Sequence, residues 1–268
     1  MYNPCMAKCV VLNGAELAGF IKERQFHELR SRPRTQKLVI VTDHSNEASE
    51  AYMRIKRRYG DDVGIETEVM ALNNNPIELV NTLNNDTSVG GVIIQLPFKD
   101  ESFAQQAIEA LNPDKDLDGL KENSLFNEPT STAILWLLAG YNVDLNGKNI
   151  VLIGNGRLVG KPMAKALDNL GLSFATVDEN TENADEIVQT ADVIISGVGK
   201  ASIIKSNWIK PSAVVIDAGV ASENGVLAGD IEESARERKD ISITPLKGGV
   251  GPLTVCALFE NFLRATAP

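Results

Sequence analysis

The sequence predicts an α/β protein of two lobes, each built on a mainly parallel sheet. Short apolar runs alternate with amphipathic segments along most of the chain, which is typical of helices packed on such sheets. One apolar run, ending at Ile153, passes directly into a glycine-rich turn. A chain of 268 residues with 43% hydrophobic residues is also long enough for two separate cores.

The first lobe is predicted to contain three strands and four helices. Apolar runs of strand length predict the strands, and longer amphipathic runs predict the helices. The predicted strands are Leu38–Thr42, Ile65–Ala71 and Gly91–Leu96. The predicted helices are Ala15–Leu29, Glu47–Tyr59, Ile77–Leu83 and Phe103–Leu111.

The second lobe is predicted to follow a boundary near Asn127, so that residues 1–126 form the first lobe and residues 127–252 the second. Helix signals over Thr130–Tyr141 lead to the turn dipeptide Asn146-Gly147, after which a second series of strands begins. We expect a last helix, within 253–268, to return to the first lobe. The predicted strands are Asn149–Ile153, Ser173–Val177, Val193–Ser196, Ala213–Asp217 and Ile241–Thr244.

Composition excludes several classes of partner. A net charge of -10 argues against nucleic acid and anionic membrane surfaces, because both require clustered Lys and Arg, so a small-molecule substrate is expected. Cys5, Cys9 and Cys256 are too few for a disulfide framework, and no metal-binding cluster is apparent. No apolar window approaches a membrane span, and we expect a cytoplasmic protein.

The turn after Ile153 has the pattern of a dinucleotide site of the Rossmann type. Gly154, Gly156 and Gly160 permit a tight turn and close backbone approach at a helix start, where N–H groups can bind a pyrophosphate. Asp178 follows the next predicted strand, where a carboxylate can accept hydrogen bonds from a ribose. A plain strand-to-helix turn is the alternative interpretation, because such a motif alone is weak.

Four segments together resemble the methylenetetrahydrofolate dehydrogenase/cyclohydrolase family. They are Gly154–Pro162, Trp208–Pro211, Val215–Asp217 and Gly248–Thr254. The most specific stretch runs from Thr244 to Thr254, where Lys247 replaces a proline of the family pattern. The resemblance covers nearly the whole chain. It implies oxidation of methylenetetrahydrofolate with NAD or NADP and hydrolysis of the methenyl product to formyltetrahydrofolate, in the one-carbon metabolism that serves purine biosynthesis.

The first lobe carries three matching pieces, Tyr52-x-x-x-Lys56, Gln95-Leu96-Pro97 and the segment from Pro113 to Gly119. Tyr52 and Lys56 are four residues apart on one predicted helix and therefore share a face. The resemblance implies that Lys56 is the general acid/base of the cyclohydrolase step, that Gln95 orients it and that Tyr52 packs on the folate.

Asp118 is implied to bind the amino and ring N–H groups of the pterin. Both assignments have an alternative: Lys56 is a solvated lysine on the helix surface, and Asp118 is a carboxylate that caps its own loop. The resemblance implies further folate contacts at Pro97, Gly249 and Pro252. It implies cofactor contacts at Gly154, Asn155, Gly156, Arg157, Gly160, Asp178, Gly197, Val198, Gly199, Val220 and Thr254.

The choice of cofactor is where this chain departs from the family pattern. Members often carry Arg-Ser where this chain has Asn155-Gly156, and groups that hold a 2′-phosphate are also missing around Asp178 and Glu179. Two carboxylates would repel that phosphate, so NAD is favoured over the family's usual NADP unless Arg157 or Lys161 reaches across the turn. Hydride transfer is expected in a cleft between the lobes.

Two other functions stay open at this level. A dehydrogenase of the shikimate or amino-acid class would share the glycine turn and a first-lobe lysine. A non-catalytic folate-binding protein on the same fold is the alternative from another class, because fold alone does not establish activity. The resemblance also suggests a homodimer formed through the second lobe.

Overall fold

The computed structural model describes residues 9–32, 36–44, 47–72, 74–223 and 226–267. The chain divides into two compact units. We call the first the Lys56 unit; it contains Gly19–Pro129 and the chain from Val255 onward. The second, the glycine-turn unit, contains the described residues up to Ala18 together with Thr130–Thr254.

The placement of the first residues differs from the sequence-based division at Asn127, which put them with the first lobe. Backbone hydrogen bonds explain the observed grouping. Leu12 N donates to Ile243 O at 3.0 Å, and Ala15 N donates to Gly248 O at 2.9 Å. The division into functional domains stays a prediction.

The Lys56 unit is built around a short parallel sheet. Helix α1 (Gly14–Arg30) begins in the glycine-turn unit and continues into the Lys56 unit. The remaining elements, in chain order, are β1 (Lys37–Thr42), α2 (Glu47–Val63), β2 (Thr67–Ala71), α3 (Pro76–Asn85), β3 (Val89–Ile94) and α4 (Glu101–Ala110). The strands lie in the order β2-β1-β3, and all pairs are parallel.

Local sequence explains how these elements begin and where they are buried. Strand β1 is almost continuously buried, as expected for the inner strand of a parallel sheet, and β3 is buried throughout, with the segment around Asp116 bridged to its outer edge. Helix α3 begins at Pro76 because Asn75 Oδ1 accepts from Glu78 N and proline suits the first helical position. Helix α4 begins after Asp100, whose side chain accepts from Ser102 N.

The glycine-turn unit contains a five-stranded parallel sheet. Its helices are α5 (Pro129–Gly140), α6 (Gly160–Asn169), α7 (Ala184–Thr190) and the start of α8 (Val250–Ala265). Its sheet strands are β4 (Ile150–Ile153), β5 (Phe174–Val177), β6 (Val193–Ser196), β7 (Val214–Asp217) and β10 (Ser242–Ile243), in the order β10-β7-β6-β4-β5. Strands β8 (Val220–Glu223) and β9 (Val226–Gly229) form a separate antiparallel ribbon that the sequence pattern did not predict.

The predicted α/β class, with parallel sheets in two units, is confirmed. Some boundaries differ. Strand β2 begins at Thr67 instead of Ile65, because Ile65 N still bonds Gly60 O at 2.8 Å at the end of α2. Strand β3 ends at Ile94, which places Gln95 just beyond it, and α8 begins at Val250, before the predicted range 253–268. None of the helices in the described ranges combines the length and apolarity that a membrane crossing needs.

Candidate active site

Lys56 and Gln95 meet at the carboxyl end of the small sheet. Lys56 lies half-buried on α2, and its Nζ donates to Gln95 Oε1 at 3.0 Å. Gln95 is 9% exposed and follows β3 directly, with its backbone N bonded to Val41 O at 2.9 Å. Its Nε2 donates to Leu96 O at 3.1 Å, which fixes which end of the amide faces Lys56. Ser49 Oγ also donates to Leu96 O, at 3.3 Å, so the first turn of α2 is tied to the same segment.

A bridge beside β3 positions Asp118. Val92 N donates to Lys115 O at 2.8 Å, and Leu117 N donates to Val92 O at 3.3 Å, which pairs Val92 with Asp116 in parallel. Residues that follow this pair on both segments therefore lie toward the carboxyl end of the sheet, where Gln95 and Asp118 stand. Gly91 lets the segment approach, because a Cβ there would lie 2.4 Å from the Leu117 side chain.

The two carboxylates of this segment differ in their partners. Asp116 is 1% exposed and accepts from Leu120 N at 3.2 Å and Lys121 N at 2.8 Å, so it closes the loop. Asp118 is half-buried, and within the described part of the chain no group donates a hydrogen bond to its carboxylate. The loop-capping role considered for Asp118 thus belongs to Asp116, two residues earlier.

Charge couples Asp118 to Lys56. Burial raises the pKa of the Asp118 carboxyl above its ordinary range, while the positive charge of Lys56 lowers it and the negative charge of Asp116 raises it further. A half-buried amine, an amide oxygen and an unpartnered carboxylate thus share one end of the sheet. Tyr52 stands one turn before Lys56 on α2 and is 46% exposed, and Pro97 is exposed just after Gln95.

The glycine turn after β4 depends on close backbone contacts. Gly154 has a φ of +90°, in the left-handed region that glycine adopts without strain. A Cβ on Gly160 would lie 2.3 Å from Gly154 O, so glycine is required where α6 begins. Asn155, Gly156 and Arg157 between them are exposed. The turn therefore leaves room for a pyrophosphate against the amino-terminal end of α6.

Strands β5 and β6 flank β4 on opposite sides, which makes the carboxyl end of β4 a topological switch point of the kind that binds ligands. Asp178 directly follows β5 and is exposed. Its Oδ1 accepts from Asn180 N and Thr181 Oγ1, both at 3.0 Å, so one carboxylate oxygen shapes the turn. Its Oδ2 accepts no hydrogen bond from the residues that the structure describes.

Lys200 is a cation near this point that sequence reasoning missed. Its Nζ lies 3.4 Å from Glu179 Oε2, and both side chains are largely exposed. Lys200 directly follows Gly199 in the sequence. It lies near Glu179 because Lys200 follows β6 and Glu179 follows β5, two strands of the same sheet. Arg157 and Lys161, which we considered for this position, are both exposed.

A second missed residue is Asp230, which is completely buried after β9. Its carboxylate accepts from Ser196 Oγ at 2.6 Å and from the backbone N atoms of Val198, Gly199 and Lys200 at 2.7, 2.8 and 2.9 Å. An aspartate among small and apolar residues, in Ala228-Gly229-Asp230-Ile231, is the one weak signal in the sequence.

The remaining predicted site residues lie around the start of α8. Gly249 is buried, and its carbonyl oxygen would lie 1.9 Å from a Cβ on Gly14. Pro252 and Thr254 are half-buried in the first turns of α8, and Thr254 Oγ1 donates to Val250 O at 3.3 Å. Val220 begins β8, and its side chain lies outside the described part of the protein.

Comparison with known proteins agrees with this geometry. The catalytic-domain model described as tetrahydrofolate dehydrogenase/cyclohydrolase matches residues 12–118, and the NAD(P)-binding-domain model of the same name matches residues 128–267. The bifunctional protein FolD of Acetivibrio thermocellus is 34% identical over 273 aligned positions, covering 95% of this chain and 96% of the relative.

Solved structures give the same result. The bifunctional FolD enzyme of Campylobacter jejuni has a TM-score of 0.88 at 30% identity, covering 96% of this chain and 98% of that one. The Trypanosoma brucei FolD enzyme, solved with NADP and an inhibitor, has a TM-score of 0.85 at 26% identity and covers 97% of both chains. This chain belongs to the tetrahydrofolate dehydrogenase/cyclohydrolase family.

Proposed function

We propose that this protein oxidises methylenetetrahydrofolate to methenyltetrahydrofolate with NAD(P)⁺ and hydrolyses the product to formyltetrahydrofolate. The observation that carries the proposal is the contact between Lys56 Nζ and Gln95 Oε1 at 3.0 Å beside the unpartnered carboxylate of Asp118. Family membership supplies the substrate, since the Campylobacter jejuni and Trypanosoma brucei structures named above are methylenetetrahydrofolate dehydrogenase/cyclohydrolases.

In the cyclohydrolase step, water adds to the electrophilic methenyl carbon, and Lys56 takes the proton that the water loses. Lys56 then returns that proton to the ring nitrogen as its bond to the carbon breaks, and the remaining hydroxyl proton leaves to solvent as the formyl C=O forms. Gln95 accepts a hydrogen bond from the amine and so holds it in place while the proton moves. The water needs no metal for activation, because the methenyl cation is already electrophilic.

Asp118 binds the pterin in this proposal. An ionised carboxylate accepts two hydrogen bonds, which suits the adjacent amino and ring N–H groups. No described side chain or backbone N–H donates a hydrogen bond to the Asp118 carboxylate, whereas two backbone N–H groups donate to Asp116. Tyr52 offers an exposed ring on the same helix as Lys56, and the folate packs on it.

The glycine-turn unit has residues that fit a dinucleotide. The cradle at Gly160 would be filled by any Cβ, and Asn155, Gly156 and Arg157 leave the adjacent backbone exposed. The glycine turn would hold the dinucleotide, whose nicotinamide would supply hydride-accepting chemistry. The protein contributes orientation, holding the pyrophosphate at the start of α6 and the ribose near Asp178.

We further propose that NAD is preferred over NADP. Asp178 keeps one oxygen available to a ribose hydroxyl, while Glu179 adds a second negative charge beside it. A 2′-phosphate at this point meets like charges, which raises the free energy of its binding. Lys200 offsets part of that repulsion, because its Nζ lies 3.4 Å from Glu179.

The other functions considered are less well supported. Family membership argues against a shikimate or amino-acid dehydrogenase, since both domain models of the folate family match. Lys56, Gln95 and Asp118 argue against a non-catalytic binding protein, because a protein that only binds folate does not need an amine held beside its ligand. A homodimer and a cytoplasmic location stay part of the proposal.

One assay tests the three functions together. Purified protein is mixed with methylenetetrahydrofolate and NAD⁺ or NADP⁺, and the absorbance of reduced cofactor and of methenyltetrahydrofolate is followed. We expect reduced cofactor to form while the methenyl product disappears by hydrolysis. Folate binding without turnover would support the non-catalytic alternative. If the protein neither binds folate nor turns it over, the proposal is overturned.

A further inference from the structure

The loop after β6 is held by a residue far away in the chain. The loop consists of Gly197, Val198 and Gly199, which offer little side chain of their own. Three consecutive backbone N–H groups, of Val198, Gly199 and Lys200, donate to the two carboxylate oxygens of Asp230 at 2.7 to 2.9 Å. Asp230 is completely buried, so these bonds are shielded from water.

Asp230 is itself fixed by its neighbours. Its backbone N donates to Asp217 Oδ1 at 3.2 Å, and Ile231 N donates to Asp217 Oδ2 at 3.1 Å. Arg236 Nη2 donates to the same Asp217 oxygen at 2.5 Å. Gly219 allows this approach, because a Cβ there would lie 2.0 Å from the Asp230 carboxylate. The carboxylate therefore has one position available, and the loop takes its orientation from it.

These bonds determine where the loop carbonyls point. In a trans peptide the C=O group is antiparallel to the N–H group of the following residue. Because three N–H groups face Asp230, the carbonyl oxygens of Gly197, Val198 and Gly199 point away from it. No residue in the described ranges donates a hydrogen bond to any of these three oxygens.

The loop also packs on the glycine turn. A Cβ on Gly154 would lie 2.7 Å from Val198 Cγ2, and a Cβ on Gly197 would lie 2.4 Å from Val159 Cγ1. The loop and the turn thus form one wall at the switch point between β4 and β6, where a ligand of the sheet binds. The wall carries three carbonyl oxygens that accept no hydrogen bond from the described part of the chain.

We propose that Asp230 is a positioning residue of the dinucleotide site. It orients three successive peptide groups so that the carbonyl oxygens of Gly197, Val198 and Gly199 accept hydrogen bonds from hydroxyl and amide donors of the bound dinucleotide. The proposal rests on the dinucleotide-dependent activity proposed above. Asp230 belongs to the glycine-turn unit, whereas Lys56 and Asp118 belong to the Lys56 unit, so its effect should be confined to the redox half of the function.

The test compares Asp230→Asn with Ser196→Ala in the full chain. The asparagine keeps the shape but turns an N–H group toward the loop donors, whereas the alanine removes only the Ser196 hydroxyl from the same carboxylate. We expect Asp230→Asn to raise the KM for the dinucleotide at least about tenfold, or about 1.4 kcal/mol. Its hydrolysis of methenyltetrahydrofolate, assayed without dinucleotide, should stay within about twofold of the wild type. Ser196→Ala should leave the KM within about twofold.

Equal losses of both activities in Asp230→Asn would assign Asp230 a general structural role and overturn the proposal, as would an unchanged KM. If that variant does not fold, amide hydrogen exchange of the wild type decides. The amides of Val198, Gly199 and Lys200 should exchange as slowly as those of β6 with and without NAD⁺, and rapid exchange in the free protein would overturn the proposal. If the wild type binds no dinucleotide, the proposed function itself is overturned, whatever the role of Asp230.

Discussion

Lys56 Nζ donates a hydrogen bond to Gln95 Oε1 at 3.0 Å, although 39 positions separate the two residues in the chain. The amide oxygen holds the amine at the carboxyl end of the sheet, and Asp118 contributes a negative charge from the neighbouring segment. This arrangement brings together, within one unit, the residues proposed for proton transfer and for pterin binding. It therefore predicts which mutations separate catalysis from binding.

Lys56→Met should abolish hydrolysis of methenyltetrahydrofolate while folate binding stays measurable. Loss of a positioned acid/base lowers a rate by about 10²- to 10⁴-fold, and methionine keeps most of the side-chain volume. The measurement is the single-turnover rate of hydrolysis together with folate affinity by fluorescence titration. Arg57→Met is the matched control, since Arg57 is exposed on the same helix. Hydrolysis at the wild-type rate in Lys56→Met would refute the assignment.

Asp118→Ala should weaken folate binding more than it slows the bound reaction. The pterin loses charge-assisted hydrogen bonds, each contributing about 1.5 to 3 kcal/mol. The free energy of folate binding from calorimetry, set beside kcat for both activities, separates these effects. A variant with wild-type folate affinity would rule out Asp118 as the pterin ligand.

The stability of the protein should depend on pH through Asp118. Burial raises the pKa of its carboxyl, despite the opposing charge of Lys56. The contribution of such a group to stability is fully present below the unfolded pKa, about 3.9, and is lost as pH rises through the folded pKa. Asp118→Asn should therefore raise the free energy of unfolding near neutral pH, with a smaller gain at about pH 4.

Urea unfolding across this pH range measures the effect. Asp114→Asn serves as the control, because Asp114 is an exposed carboxylate of the same segment. A gain for Asp118→Asn that does not change with pH would contradict the prediction.

Asp178→Ser should shift cofactor preference toward NADP. Serine removes the negative charge near the ribose but can still accept hydrogen bonds within the turn. The ratio of kcat/KM for NAD⁺ to that for NADP⁺ should favour NAD⁺ in the wild type and fall at least about tenfold, or about 1.4 kcal/mol, in the variant. A wild type that prefers NADP⁺ tenfold, or a ratio that the mutation leaves unchanged, would show that Asp178 does not read the ribose.

Lys200→Gln should move the same ratio in the opposite direction. Without the ammonium group, the charge of Glu179 acts on a 2′-phosphate without compensation. Because both side chains are exposed, the interaction contributes only about 0 to 1 kcal/mol, which corresponds to a change of up to about fivefold. The effect should shrink at high salt, and Lys205→Gln, at an exposed lysine after the same loop, should leave the ratio unchanged.

Local features of the sequence were sufficient to predict the fold class and the glycine turn, whereas the roles expected of Lys56, Gln95 and Asp118 came from the family resemblance. Apolar runs of strand length placed β1, β4 and β6 close to where they lie, because burial on both faces of a parallel sheet needs a continuous apolar segment. The spacing of Tyr52 and Lys56 placed both on one helix. The glycine turn was predictable because its conformation is a property of a few adjacent residues.

The antiparallel ribbon of β8 and β9 and the function of Asp230 were not predictable in the same way. Three loop N–H groups and Asp230 are separated by 30 to 32 positions, and the hydrogen bonds exist only after β6 and β9 have been brought together. A buried aspartate has no periodic pattern, since its partners are backbone groups that every residue carries.

The sequence by itself determined the two α/β units, the helix that carries Lys56 and the turn that suits a dinucleotide. Only the tertiary structure decided that Asp116 rather than Asp118 closes the loop, that Lys200 lies beside Glu179 and that Asp230 accepts hydrogen bonds from the loop after β6. The physical reason is the difference in sequence range over which the interactions act. Helix and strand preferences act over a few residues, whereas these contacts form between side chains that packing brings together from distant parts of the chain.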